Sequence, residues 1–137
     1  VGSEMCIRDS VELVDLYPTL ADMAGITEGM PANLDGLSLS PLLIDPTSTV
    51  KEAALTQHQQ PFYGSAKNWR QYGRSIRTER WRYTEWESIS DGQLMARELY
   101  DHDNDPGESR NLAGLSEYRA TVDRLSVRLR QRRSSSR

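Results

Sequence analysis

Residues Val11–Gly25 read VELVDLYPTLADMAG, and this stretch decides how the remainder of the chain is parsed. The apolar run Val11–Val14 reads as the end of a strand or an extended lead-in. A helix cannot begin inside it, because Pro18 would meet the carbonyl of Val14. A start at Asp15 removes the clash. Asp15 then caps the N-terminus, and Pro18 falls in the first turn, where a missing N–H costs little. Leu16, Leu20, Met23 and Ala24 share one face, and Gly25 ends the helix. A strand-to-helix joint of this kind belongs inside a domain, with a sheet before it.

Only VGSEMCIRDS stands ahead of that joint. The string matches a one-frame translation of a common sequencing-library transposase adapter. Val1–Asp9 are therefore expected to be a scar, and the chain from Val11 the C-terminal remainder of a longer protein. The alternative is an ordinary polar N-terminal tail.

With 137 residues, 36% of them hydrophobic and 27% charged, the chain is one small domain or the tail of a larger one. Six Tyr and three Trp add area that can be buried. No apolar run approaches the length needed to span a bilayer. The single cysteine, Cys6, lies in the suspected scar. The remainder thus offers no disulfide, thiol nucleophile or thiolate metal site. Charge is uneven: residues 116–137 carry +5 and residues 11–115 carry −7. The basic end is read as a helix C-terminus with a solvated RRSSSR tail, not as a nucleic-acid surface.

Further along, Leu34-Asp35-Gly36 is a turn signal, followed by a short apolar element, Leu37–Leu43, limited by Pro41. Ala53–His58 reads as a strand and Gln59–Gln71 as a loop. Gly73–Thr78 and Trp81–Glu87 form a hairpin about Glu79-Arg80. Ala96–Tyr100 is a further strand, and Asp101–Gly114 is rich in turns. Ser116 is placed to cap a helix through about Arg132, with Tyr118, Val122, Leu125 and Leu129 as its apolar stripe. The fold class is α+β: a small antiparallel sheet of about four strands, a C-terminal helix packed on it, and an N-terminal strand–helix remnant.

Four motifs in order carry a family resemblance. VELVDLYPTLADMAGI, then LDGLSLSPLL, then SIRTERWRYTEW (Ser75–Trp86) and ELYDHDNDPGESRNLA (Glu98–Ala113) resemble the C-terminal part of sulfatases of the alkaline-phosphatase superfamily. Ser75-Ile76-Arg77-Thr78 with Arg82-Tyr83-Thr84 and Trp86 is most similar to the iduronate 2-sulfatase branch. With residues 1–10 set aside as the expected artefact, the resemblance implies 11–50 as the end of an α/β catalytic domain, 51–132 as a C-terminal subdomain and 133–137 as a tail. It implies a parent that hydrolyses sulfate esters of sulfated saccharides with a formylglycine nucleophile and a divalent cation, usually Ca²⁺. The metal and cationic side chains would offset charge building on the sulfuryl group. Those groups all map upstream of Val11, so this chain contributes no catalytic and no metal-binding residue. It is expected to be inactive alone. Neither nucleic acid nor membrane is an expected partner, and exported relatives imply a periplasmic or extracellular location.

Candidate substrate contacts follow from charge, since a sulfated uronic acid calls for arginines and amides. Gln57 and His58 end a strand; Trp69 and Arg70, with Lys67, lie in the loop after it; Arg77 sits within SIRT. Two readings stand for the loop, a saccharide rim or a solvated segment with a few anchors. Two stand for Arg77, an anion contact or a buried arginine bridging strands. Asp101, Asp103 and Asp105 imitate an EF-hand start. The loop nevertheless has Pro106 where glycine is needed and Leu112 where a bidentate Glu is needed, so turns are expected there instead. Phosphoester or phosphonate hydrolysis in the same superfamily is the runner-up activity. A free-standing non-catalytic α+β binding module is the reading of another class, and it should melt cooperatively by itself.

Overall fold

A computed structural model describes residues 10–26, 28–61 and 70–135, with side chains through Gln131. The scar expectation at residues 1–9 and the readings of Lys67 and Trp69 lie outside the described residues. The chain divides into two compact units between Ala54 and Leu55.

In the first unit a 3-10 turn, Leu13–Asp15, leads into helix α1, Leu16–Met23, and a short helix α2, Ser40–Ile44, follows. The expected strand end at Val11–Val14 is thus largely a turn. The Asp15 side chain bends it, since Asp15 Oδ2 accepts from the Glu12 N–H at 2.8 Å. Asp15 does precede α1, but its carboxylate makes no capping bond to that helix. It is drawn elsewhere: Oδ1 accepts the Leu37 N–H at 2.9 Å and the Lys51 ammonium. Thr19 continues the tie. Its hydroxyl donates to the Asp15 carbonyl at 2.5 Å and accepts the Leu39 N–H at 2.9 Å. Pro18, Thr19 and Ala21 are consequently the buried face of α1.

The apolar face of α1 is the exposed one. Leu16, Leu20 and Met23 are 52%, 63% and 63% exposed, and Ala24 is exposed too. Spacing reports that a helix face is apolar; it does not say which segment covers it. The helix end follows expectation. Gly25 has φ +68°, Gly25 N–H donates to Asp22 O, and Ile26 N–H donates to Ala21 O, the paired bonds of a Schellman motif. Gly36 is required by close approach. A Cβ there would stand 2.0 Å from the Val14 carbonyl oxygen.

The second unit holds strands β1 Ala54–Gln60, β2 Gln71–Arg77, β3 Trp81–Ser88 and β4 Leu94–Asp101 in the order β1-β2-β3-β4, and helix α3, Arg119–Ser135. The β2–β3 hairpin turns through Glu79-Arg80 as the sequence indicates, with Thr78 N–H donating to Trp81 O at 2.8 Å. β1 runs to Gln60, two residues past its expected end at His58.

Residues opposite one another across a sheet share a face. Ile76, Tyr83 and Leu99 form such a row over three strands, and each is fully buried. Val122, Leu125 and Leu129 of α3 are buried too, and α3 packs on β2 and β3. Each such side chain contributes about 2 kcal/mol of burial. Three of the four expected stripe residues are therefore buried on α3, whereas Tyr118 is half-buried in the turn before it, and Ser116 is not the cap. It opens a 3-10 turn, Ser116–Tyr118, ahead of the α-helix, and the cap position falls to Leu115.

Helix and sheet are also joined by a polar clasp. Glu85, 2% exposed, accepts at Oε1 from the Tyr83 hydroxyl at 2.8 Å and the Ser126 hydroxyl at 2.6 Å. Burial and the neighbouring Glu85 charge push the Tyr83 phenol well above its ordinary pKa. Asn111 closes part of the free edge of β4. Its Oδ1 accepts the Leu99 N–H and its Nδ2 donates to the Arg97 carbonyl, both at 3.0 Å, as a further strand would.

Replacing Gly36 with Ala should push the Val14 carbonyl aside and cost about 2–3 kcal/mol. Native-state hydrogen exchange should show the loss at amides of residues 10–54; unchanged protection there would refute the close-approach argument.

Candidate functional site

The sheet face opposite α3 is the candidate surface. Gly73, opposite Trp86, leaves room for the indole, because an added Cβ would come within 2.8 Å of that ring. His58 meets the same ring edge-on, with centroids 4.9 Å apart, and Trp86 Nε1 donates to Glu98 Oε1 at 3.0 Å. Ser75 and Thr84, also opposite each other, share a hydroxyl hydrogen bond of 2.6 Å.

The expected substrate contacts do not gather at one point. Gln57 and His58 are consecutive on β1 and so point to opposite faces. Gln57 Oε1 accepts from Arg74 Nε at 2.9 Å, beside the Arg74–Glu87 ion pair, whereas His58 lies against Trp86. Arg70 is exposed just before β2, its N–H donating to Gln60 O at 2.9 Å. Arg77 ends β2, seven extended residues away, roughly 23 Å at the strand rise. One small ligand cannot span Arg70 and Arg77. Of the described candidates, the backbone holds Gln57 and His58 side by side only as chain neighbours.

Arg77 lies in a charged group at the far end of the sheet. It stands opposite Arg82, and its Nη1 donates to the Thr78 carbonyl at 2.6 Å. Burial holds its guanidinium below the ordinary arginine pKa; Glu108 opposes that lowering and Arg82 adds to it. Arg82 Nη1 donates to both Glu108 carboxylate oxygens at 3.0 Å, and His102 Nε2 lies 2.7 Å from Glu108 Oε1. Glu108 takes φ +53°, a left-handed conformation unfavourable for a side chain with a Cβ. Burial alone would raise the Glu108 pKa, but Arg82 and His102 outweigh it and hold the carboxyl low.

Sequence reasoning singled out none of Arg82, His102 and Glu108 as partners, since Glu108 is brought in by a turn from 26 positions along the chain. Asp101 was legible as a turn residue. Its Oδ1 accepts the Asp103 N–H at 3.2 Å, and its two oxygens take Arg80 at 2.8 and 2.7 Å. Asp105 likewise accepts from the Ser109 hydroxyl and the Arg110 N–H.

These carboxylates are committed to arginines and loop amides, and Asp15 is committed to Lys51. Among the described residues no three His, Cys, Asp or Glu side chains converge as a metal seat. Nor is any helix among them long and apolar enough to cross a membrane.

Fold and motifs together define a C-terminal sulfatase domain. The chain belongs to the family described as N-sulphoglucosamine sulphohydrolase, C-terminal, whose profile matches residues 1–135. It is 38% identical over 118 residues to arylsulfatase K of Rattus norvegicus, covering 82% of this chain and 19% of that protein. It is 34% identical over 119 residues to a Delta 4,5-hexuronate-2-O-sulfatase of Bacteroides thetaiotaomicron, covering 80% and 22%. The chain thus spans about a fifth of the length of these curated relatives. Among solved structures, a 2-O GAG sulfatase superposes with TM-score 0.56 at 32% identity, covering 88% of this chain and 26% of that one. The phosphonate monoester hydrolase of Agrobacterium radiobacter superposes with TM-score 0.66 at 25% identity, covering 88% and 24%.

Two predictions follow from the charged groups. Arg80 pulls the Asp101 carboxyl down to about 2. A carboxyl held below its unfolded value of about 3.9 contributes stability that is complete above that pH and is lost as pH falls toward 2. Asp101→Asn should therefore lower stability at pH 7, with the difference from wild type shrinking between pH 4 and 2 in urea titrations. A difference that does not change with pH would refute the ion-pair origin. Arg77→Ala frees the Thr78 carbonyl and should cost about 1.5–3 kcal/mol, read from the urea midpoint. An unchanged midpoint would reject the structural role and leave the anion-contact reading.

Proposed function

We propose that this chain is the supporting C-terminal part of a sulfatase that hydrolyses sulfate esters of sulfated glycans, with 2-O-sulfated hexuronates as the substrate class. The observation that carries the reading is the 34% identity to a hexuronate 2-O-sulfatase across 80% of the chain. The superposition on a 2-O GAG sulfatase supports it. The SIRT and RYTEW strands, Ser75–Trp86, are the basis for an iduronate 2-sulfatase-like architecture. In this reading residues 11–50 complete the catalytic domain and 51–132 form the C-terminal subdomain. The formylglycine and Ca²⁺ belong to the portion of the longer protein that precedes Val11. Those two groups supply the nucleophile and the charge neutralisation for sulfuryl transfer. Gln57, His58, Trp69, Arg70 and Arg77 are proposed as rim residues of the saccharide pocket.

A second reading, phosphoester or phosphonate hydrolysis, draws support from the likeness to a phosphonate monoester hydrolase. The scaffold alone does not separate the two, because its polar groups are spent on its own structure.

The test uses the longer protein and this 137-residue chain side by side. The longer protein should release sulfate from a 2-O-sulfated unsaturated uronate disaccharide and leave a phosphonate monoester intact. The 137-residue chain should turn over neither that disaccharide nor an aryl sulfate. Turnover by the short chain would sink the supporting-part reading, and a preference for the phosphonate would install the second.

A further inference from the structure

Helix α1 is inside out within its own unit. Asp15, Thr19 and Asp22 stand four and three residues apart on one flank, and they bind the rest of the unit through polar groups. Asp15 takes the Leu37 N–H and the Lys51 ammonium. Thr19 accepts the Leu39 N–H at 2.9 Å. Asp22 Oδ2 accepts the Ser38 hydroxyl at 2.7 Å and the Ser40 hydroxyl as well. Leu13, Leu16, Leu20 and Met23 recur at three, four and three residues, the spacing of a single helix face. Tyr17 lies beside them, and all five are exposed. A helix that serves only its own unit buries its apolar stripe and shows its polar one. Here hydrogen bonds draw the polar flank inward, so the apolar seam is held outward in one orientation.

The seam is about 15 Å long from Leu13 to Met23. A continuous exposed apolar strip marks an interface, and its surroundings narrow the partner. Residues 11–50 contain six Asp and Glu and no Lys, Arg or His. A lipid surface or a nucleic acid would meet acidic flanks, where both call for cations. The five side chains of the seam carry no charge, so what covers them is apolar too. Length says where that cover comes from. The family profile is a C-terminal one, and the match takes up 19% and 22% of two curated relatives. About four-fifths of such a protein remains to supply the other face.

We propose that the Leu13–Met23 seam is the docking surface for the portion of the longer protein that lies outside these 137 residues, where an uncharged apolar patch covers it. This rests on the reading that the chain is the supporting part of a longer sulfatase, and it adds which side chains join the two parts.

The test places Leu20→Cys in the 137-residue chain and in the longer protein and follows maleimide labelling. Mass spectrometry of the peptide that carries position 20 keeps Cys6 and any other thiol out of the reading. The thiol at position 20 should react in the short chain at nearly its rate in guanidinium, and about a hundredfold more slowly in the longer protein. Leu20→Glu should leave the urea midpoint of the short chain unchanged, as a surface substitution does. The same change should lower the melting temperature of the longer protein by several degrees, because it buries a charge. Equal labelling in the two chains would overturn the proposal even if Leu20→Glu prevents the longer protein from folding. Protection in the longer protein that disappears on dilution to a monomer would overturn it as well, and would assign the seam to a second copy. Sulfate release tests the hydrolase reading separately. Protection at position 20 without sulfatase turnover would keep the seam and remove that reading, and turnover with free labelling at position 20 would do the reverse.

Discussion

The hydrogen-bonding demand of one fully buried carboxylate, Asp15, sets the course of the chain from Glu12 to Lys51. A buried charge is tolerated only when it is paired and its lone pairs are filled. Asp15 meets that condition by drawing in the Glu12 N–H, the Leu37 N–H and the Lys51 ammonium, and Lys51 reaches Glu12 Oε2 at 2.7 Å as well. Burial by itself would raise its pKa; the bonds from Lys51, Leu37 and Glu12 outweigh that and hold it low. The turn at Leu13–Asp15, the seating of residues 36–39 and the need for glycine at position 36 all follow from this arrangement. The second unit repeats the device with Glu85, whose partners come from β3 and α3. In both units a carboxylate specifies which segments meet, and in the second unit the burial of Ile76, Tyr83, Leu99 and the α3 stripe adds to it.

That division of labour explains why the motifs label a family and yet perform no chemistry here. The Asp15, Thr19 and Gly36 positions hold a strand-like segment against a helix. Asn111 completes the edge of β4, and Asp101 and Asp105 shape a loop. None of these groups is left over for a ligand. The apolar face of α1, with Leu16, Leu20 and Met23 largely exposed, is the surface the described residues leave uncovered. Proteins matching this chain are about five times as long.

Much of the second unit could be read from residues. Two strand-like runs about Glu79-Arg80 gave the hairpin; the pairing of Ile76 with Tyr83 came from the structure. The stripe Val122, Leu125 and Leu129 gave the buried face of α3 through its helical spacing. Caps were less legible. Asp15 and Ser116 both have the side chain a cap requires, but Ser116 falls inside a 3-10 turn and Asp15 has a competing partner. For Asp15 that competitor is Lys51, 36 residues away. The Arg82–Glu108–His102 group was invisible because it depends on a left-handed turn at Glu108 that no propensity favours.

The candidate saccharide contacts show the same limit. Residue chemistry nominated Gln57, His58, Trp69, Arg70 and Arg77; strand alternation and rise then dispersed the described ones over two faces and the length of β2. The sequence by itself determined the α+β class, the hairpin, the final helix and, through four ordered motifs, the family, since these rest on local periodicity, turn chemistry and motif order. Only the tertiary structure decided which partners the carboxylates take, which face of α1 is covered and which arginines stand together. Those outcomes depend on contacts between segments tens of residues apart, where the cost of burying a charge outweighs any local preference.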